Sequence, residues 1–181
     1  MTKKMLTNIF AEITHACKEK NHPYRYFYMS SCGLNGHIRQ RTMVLRDVID
    51  GQFLQVYTDR RSKKMTHINE HNEVSLLFFN PDTLTQITMV AYVEIEKDKD
   101  ELQKKWETIP DFVKSDYVVS DIPGTIIQHP DQTQYNDHSG NFTILYFIPE
   151  KIEILQIKRP NNIRASYEKT NFGWEGVYIT P

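Results

Sequence analysis

The stretch Leu84-Thr85-Gln86-Ile87-Thr88-Met89-Val90-Ala91-Tyr92-Val93-Glu94-Ile95-Glu96 alternates in character along its length. Ile87, Met89, Ala91, Val93 and Ile95 share one parity; Gln86, Thr88, Val90, Tyr92 and Glu94 share the other. Successive side chains of a strand point to opposite faces, so the first set predicts a core-facing row on one long strand. Such a row needs partners, and the flanking sequence supplies them.

Upstream, residues 74–79 read as a strand ended by Asn80-Pro81-Asp82. Residues 24–31 are aromatic-rich, and Cys32-Gly33-Leu34-Asn35-Gly36 carries the Asn-Gly signal of a hairpin turn. Residues 37–47 read as the returning strand, Asp50-Gly51 as a second turn, and residues 52–58 as a third strand. Residues 62–70 read as a short helix with Ser62 as its cap and an apolar face of Met65 and Ile68. At the amino end, Leu6, Ile9, Phe10, Ile13 and Ala16 or Cys17 recur at helical spacing, which predicts a helix from residue 2 to about 20.

Downstream, residues 98–107 and 110–119 predict two helices. Residues 120–141 form the longest irregular stretch. Strands are predicted at 142–148, 151–157 and near 163–167, and a last apolar stretch with Trp174, Val177 and Ile179 closes the chain. Strands in hairpin order with helices only at the margins predict a mainly β fold, an antiparallel barrel or sandwich. A doubly wound parallel sheet would need a helix between successive strands.

With 181 residues, 39% hydrophobic, the chain is expected to form a single domain over 1–181 with a substantial core. The net charge of −1 disfavours a nucleic-acid binder. Cys17 and Cys32 form neither a disulfide framework nor a zinc motif. No segment has the apolar length of a membrane span and no signal-peptide pattern opens the sequence, so a soluble cytoplasmic protein is expected.

The candidate chemistry is cationic. Arg39, Arg41, Arg46, Arg60, Arg61, Lys63 and Lys64 fall close together in sequence. Arg41 and Arg46 lie in a strand otherwise made of Met43, Val44 and Leu45, where an idle charge is poorly placed. Ser62-Lys63-Lys64 falls where a helix begins; free N–H groups, a hydroxyl and two ammonium groups suit a phosphate. Arg41 and Arg46 are roughly 17 Å apart along an extended strand and of opposite parity, so they cannot both grip one phosphate without a bulge. A long ligand fits better, with its phosphate at one end and a polar ring at the other. Gln86 could offer such a ring both a donor and an acceptor. His67 and His71 share a helical face but lack a third ligand, so no metal is expected and both read as surface histidines. Ser30-Ser31-Cys32 has no identifiable activating base, and no catalytic residue is assigned.

Arg41-Thr42-Met43-Val44-Leu45-Arg46, Tyr57-Thr58 with Ser62-Lys63-Lys64, and Gln86 on a strand after a proline-containing turn together resemble the pyridoxamine 5'-phosphate oxidase-like family. The likeness runs from about residue 24 to 96 and, more weakly, through Trp106 and Arg164 to the end. The resemblance implies an antiparallel FMN-binding split β-barrel, a homodimer with FMN at the subunit interface, and a small-molecule substrate. It places Arg41, Thr42, Met43, Val44, Leu45 and Arg46 beside the flavin and its ribityl chain, and Tyr57, Thr58, Ser62, Lys63 and Lys64 around the phosphate. It turns Gln86 to the isoalloxazine ring and adds Arg164 near the carboxyl end. The implied function is an FMN-dependent oxidoreductase; the alternative is a non-catalytic flavin or pyridoxal-phosphate binding protein or sensor. The oxidase itself has a lysine where Arg46 stands, a tryptophan after the Ile-Glu pair, and an Arg-x-His pair where this chain reads Arg164-Ala165-Ser166-Tyr167. These departures point away from pyridoxamine phosphate as the substrate.

Overall fold

A computed structural model describes residues 2–136 and 139–181. The chain opens with α1 (Thr2–Ala16), followed by β1 (Tyr26–Cys32), β2 (Ile38–Val44), β3 (Asp47–Ile49) and β4 (Phe53–Asp59). Then come α2 (Lys63–Glu70), β5 (Glu73–Asn80), β6 (Thr85–Ile95), α3 (Lys99–Thr108) and α4 (Asp111–Lys114). β7 (Phe142–Gln156), β8 (Ile163–Thr170) and β9 (Gly173–Tyr178) complete it. All named pairings are antiparallel, in the order β2-β1-β5-β6-β7-β4-β3, with β8 and β9 branching from β7. This curled antiparallel sheet with few helices is the expected split barrel.

The parity of β6 is as the sequence predicts for its inner row: Ile87, Met89, Ala91 and Val93 are buried, and Ile95 is half-buried against them. They meet Phe27 and Met29 of β1, Leu76 and Phe78 of β5, and Ile152 and Ile154 of β7. α1 adds Leu6, Ile9, Phe10, Ile13 and Ala16 to this core. Each such large side chain withdrawn from water contributes about 1.5–3 kcal/mol before entropy is subtracted. A second, smaller cluster lies under α3 and α4, where Leu102, Ile109, Val113 and Tyr117 cover Phe142 and Ile144.

Several boundaries differ from the sequence-based expectation, each for a local reason. α1 ends at Ala16 because the Arg25 guanidinium reaches the carbonyls of Ala16 and Cys17 and closes the helix end. The strand expected over 37–47 breaks after Val44. The Leu45 N–H donates to the Arg25 carbonyl, while the Arg46 N–H donates to the Gln55 carbonyl of β4. The chain therefore changes neighbours between Leu45 and Arg46. The two strands expected at 142–148 and 151–157 are one, because a bulge absorbs Pro149. Val90 opposes Lys151 and Ala91 opposes Pro149, which leaves Glu150 as the extra residue. The helix expected over 110–119 is only α4 and a following 3-10 turn, Ser115–Tyr117.

Candidate cofactor site

The basic residues sort into two centres, and the change of neighbours at Leu45–Arg46 separates them. The first centre lies where β1, β2 and β4 meet the start of α2. Arg41 Nη1 donates to Ser31 Oγ at 2.7 Å, and its Nη2 lies 3.3 Å from His67 Nδ1. Ser31 Oγ is also 3.3 Å from that nitrogen. Lys64 Nζ donates to Thr58 Oγ1 at 2.8 Å and to Ser62 Oγ at 3.0 Å. Ser62 stands at the cap position, yet its hydroxyl donates to the Asp59 carbonyl at 2.7 Å and caps no N–H of the helix. The first turn of α2 is thus left without a side-chain cap, beside two cations.

These cations are held without counter-charges. Among the described residues no carboxylate lies within ion-pair distance of Arg41 or Lys64. Asp59, the nearby candidate, is engaged by Arg61 at 2.7 Å. Burial pushes the Lys64 ammonium below its ordinary range and Arg41 pushes it further, with Asp59 opposing. Burial likewise lowers Arg41, helped by Arg39. His67 is pushed down by burial, then by Arg41 and Arg39. Clustered, partly desolvated positive charge with hydroxyls and an uncapped helix start is the chemistry of a phosphate cradle. Lys63 is exposed at its edge.

The second centre surrounds Arg46. Its Nη2 donates to Tyr117 Oη at 3.2 Å, and its guanidinium carbon lies 5.5 Å from the centre of the Tyr57 ring. The Arg46 Nε is buried with no hydrogen-bond partner among the described residues. Burial raises both tyrosine hydroxyls while Arg46 opposes the rise; Tyr57 reaches about 12. An orphaned buried donor beside aromatic rings suits an acceptor on a flat, polar ring.

Between the centres, Met43 and Leu45 turn into the core, whereas Thr42 is exposed and Val44 half-buried on the other face. Only the backbone of Met43 and Leu45 is therefore available to a ligand. Gln86 and Arg164 are not brought to either centre within the chain. Gln86 Nε2 donates to Thr88 Oγ1 at 3.4 Å, on the outer face of β6, and Arg164 pairs with Glu153 at 2.8 Å. β6 lies three strands from β2, roughly 14 Å across the sheet.

Sequence reasoning missed Ser31, His67 and Tyr117 as members of these centres. His67 was expected on the surface, but it packs against Arg41 because α2 lies across β1. Its position three residues after Lys64, on the same helical face, was the available signal.

Residues 7–95 match the family model described as the pyridoxamine 5'-phosphate oxidase, FMN-binding domain. Through that stretch the chain belongs to the pyridoxamine 5'-phosphate oxidase-like family. The domain of this family binds FMN, and both centres fall within the matched stretch apart from Tyr117. Solved structures share the fold. A pyridoxamine 5'-phosphate oxidase-related, FMN-binding protein from Nostoc punctiforme has a TM-score of 0.77 at 21% identity, with 96% of each chain covered. PhzG from Burkholderia lata, solved with tetrahydrophenazine-1-carboxylic acid, has a TM-score of 0.76 at 14% identity, covering 97% of this chain and 92% of PhzG. General Stress Protein 26 from Bacillus anthracis has a TM-score of 0.53 at 18% identity, covering 81% of this chain and 92% of its own. No curated protein matches the sequence. No described helix is long and apolar enough to cross a membrane.

Proposed function

We propose that this chain is an FMN-dependent oxidoreductase that works as a homodimer on one split-barrel domain and acts on an unidentified small molecule. The observation that carries the reading is the pair Arg41 and Lys64, two partly buried cations with hydroxyl partners and, among the described residues, no carboxylate within ion-pair distance. A protein keeps uncompensated buried charge at a cost, and an anionic ligand is the usual reason.

In this reading Arg41, Lys64, Thr58, Ser62 and the first turn of α2 hold the phosphate, with Lys63 at the mouth. Thr42, Val44 and the backbone of Met43 and Leu45 line the ribityl chain. Arg46 presents its free Nε to the ring, and Tyr57 fixes the Arg46 guanidinium from below. FMN, when bound, supplies reversible one- and two-electron transfer, which the protein tunes by charge and hydrogen bonds at the ring.

Gln86 and Arg164 serve a second copy's flavin. They lie on the outer sheet face that also exposes Tyr26, Tyr28, Phe79 and Tyr92, each between 42% and 52% accessible. Such an aromatic face is typical of an interface core.

The test of electron transfer is anaerobic reduction of the flavin-loaded protein by NADH or NADPH, followed by reoxidation with quinone or nitro acceptors. Reduction and multiple turnovers support the oxidoreductase. Bound flavin that neither reductant reduces would leave a binding protein or sensor on the same fold.

A further inference from the structure

The inference concerns His67 and rests on the phosphate reading of the Arg41–Lys64 centre. Arginine has no acceptor, so a guanidinium N–H facing His67 Nδ1 at 3.3 Å requires that nitrogen to carry the lone pair. In the free chain His67 is therefore neutral, with its proton on Nε2. Ser31 Oγ completes the triangle, accepting from Arg41 Nη1 and lying 3.3 Å from the same ring nitrogen.

The charges that act most strongly on the ring are cationic, those of Arg41 and Arg39. β2 presents Arg39 and Arg41, and β1 presents Ser31. α2 itself carries Lys63 and Lys64 before it and the exposed Glu70 three residues after it, with His71 at the cap position. Asn35 and Leu34 of the hairpin tip close the other side, where His67, Arg39, Lys63 and Thr66 line a cavity of about 410 Å3. The ring thus stands between the phosphate cradle and an open cavity, with Nδ1 toward the cradle and a route for protons from solvent.

We propose that His67 is a proton-coupled ligand of the cofactor phosphate, taking a proton on Nδ1 as the phosphate draws the Arg41 guanidinium away from it. A dianion entering the cradle reverses the local field. Arg41 Nη2 turns to a phosphate oxygen, Nδ1 loses its donor, and the adjacent phosphate charge favours the protonated ring that the free cations disfavoured. The proton comes from solvent and is released when the cofactor leaves. No bond other than N–H is made or broken.

The consequence is a linkage between pH and FMN affinity that riboflavin, lacking the phosphate, does not show. The phosphate's own second ionisation, near pH 6, works in the opposite direction, because the dianion is the better ligand. The informative comparison is therefore with His67→Gln, which keeps an acceptor for Arg41 but cannot take a proton.

The experiment is calorimetric titration of the flavin-free full-length chain with FMN and with riboflavin, at about pH 7.5 in two phosphate-free buffers of different ionisation enthalpy. Wild type should take up more protons per FMN than His67→Gln, by up to one, and the two should not differ with riboflavin. Each unit of falling pH in the coupled window should then improve wild-type FMN affinity by up to about tenfold relative to the variant. Equal proton counts and equal pH slopes in the two proteins, with FMN bound by both, overturn the role of His67 and leave the cradle intact. Failure of wild type to bind FMN overturns the cradle and this inference together. Should His67→Gln not fold, titration of the His67 ring resonances in wild type decides the matter: a ring pKa that does not rise on adding FMN overturns the proposal.

Discussion

Replacing Lys64 by methionine should weaken FMN binding while leaving the flavin-free fold nearly as stable as before. The ammonium donates to Thr58 and Ser62 at 2.8 and 3.0 Å, and losing two such bonds costs about 1 kcal/mol each. Working against that loss is the charge itself. Burial and Arg41 hold the folded-state pKa of Lys64 below its unfolded value, so its protonated form opposes folding at neutral pH. Methionine fills a similar volume without the charge. The two effects offset one another, and the net change should stay within about 1 kcal/mol, or about 2–4 °C in Tm for a chain of this size. Binding has no such compensation. A charge-assisted hydrogen bond to a phosphate is worth about 1.5–3 kcal/mol, so FMN affinity should fall by about 10- to 150-fold. The remaining binding should be less sensitive to salt, because one cation has left the cradle. Quenching of FMN fluorescence at two ionic strengths, beside thermal melts of the flavin-free protein, reads both quantities. Unchanged affinity with a melting point lowered by 10 °C or more (on the order of 3 kcal/mol) would make Lys64 a structural residue and refute the reasoning.

Three further outcomes are expected. Gly176→Ala should destabilise the protein by about 1–3 kcal/mol, because its new methyl would overlap the buried Tyr167 ring whose hydroxyl holds the Thr2 carbonyl; a denaturant melt checks it. His67 has a folded-state pKa below the unfolded value of about 6.5, so the unfolded chain binds the proton more readily and stability is lost as pH falls through that value. The flavin-free protein should therefore lose less stability between about pH 7.5 and pH 5.5 as His67→Gln than as wild type, and parallel melting curves would contradict this. Tyr28→Glu, at a position 52% accessible on the outer face, should shift the protein toward monomer in sedimentation without unfolding it, and an unchanged sedimentation coefficient would place the interface elsewhere.

The parts of the structure legible in the sequence are those with a local signature. The parity of β6 announced its buried row, and Ser62 announced the start of α2 at Lys63. The opposite parity of Arg41 and Arg46 announced that their side chains part, and the change of partners after Leu45 is how the chain separates them. What stayed hidden depends on contacts distant in sequence. Ser31 and His67 are 36 residues apart, and Arg46 and Tyr117 are 71 apart, so neither pairing leaves a periodic trace. Pro149 misled in a different way: a proline mid-strand reads as an end, yet a bulge at Glu150 lets β7 run through all 15 residues. Gln86 and Arg164 belong to neither centre within one chain: Gln86 bonds to Thr88 on the outer face of β6, and Arg164 pairs with Glu153.

The central claim is that the Arg41–Lys64 centre binds FMN through its phosphate. The most direct measurement is the FMN and riboflavin affinity of one preparation of flavin-free protein, read by fluorescence and confirmed by mass analysis of the bound flavin. The account predicts one FMN per chain and riboflavin binding weaker by at least the 10-fold that a single charged phosphate contact supplies, roughly 1.4 kcal/mol. Equal affinity for the two, or no flavin bound at all, would contradict it.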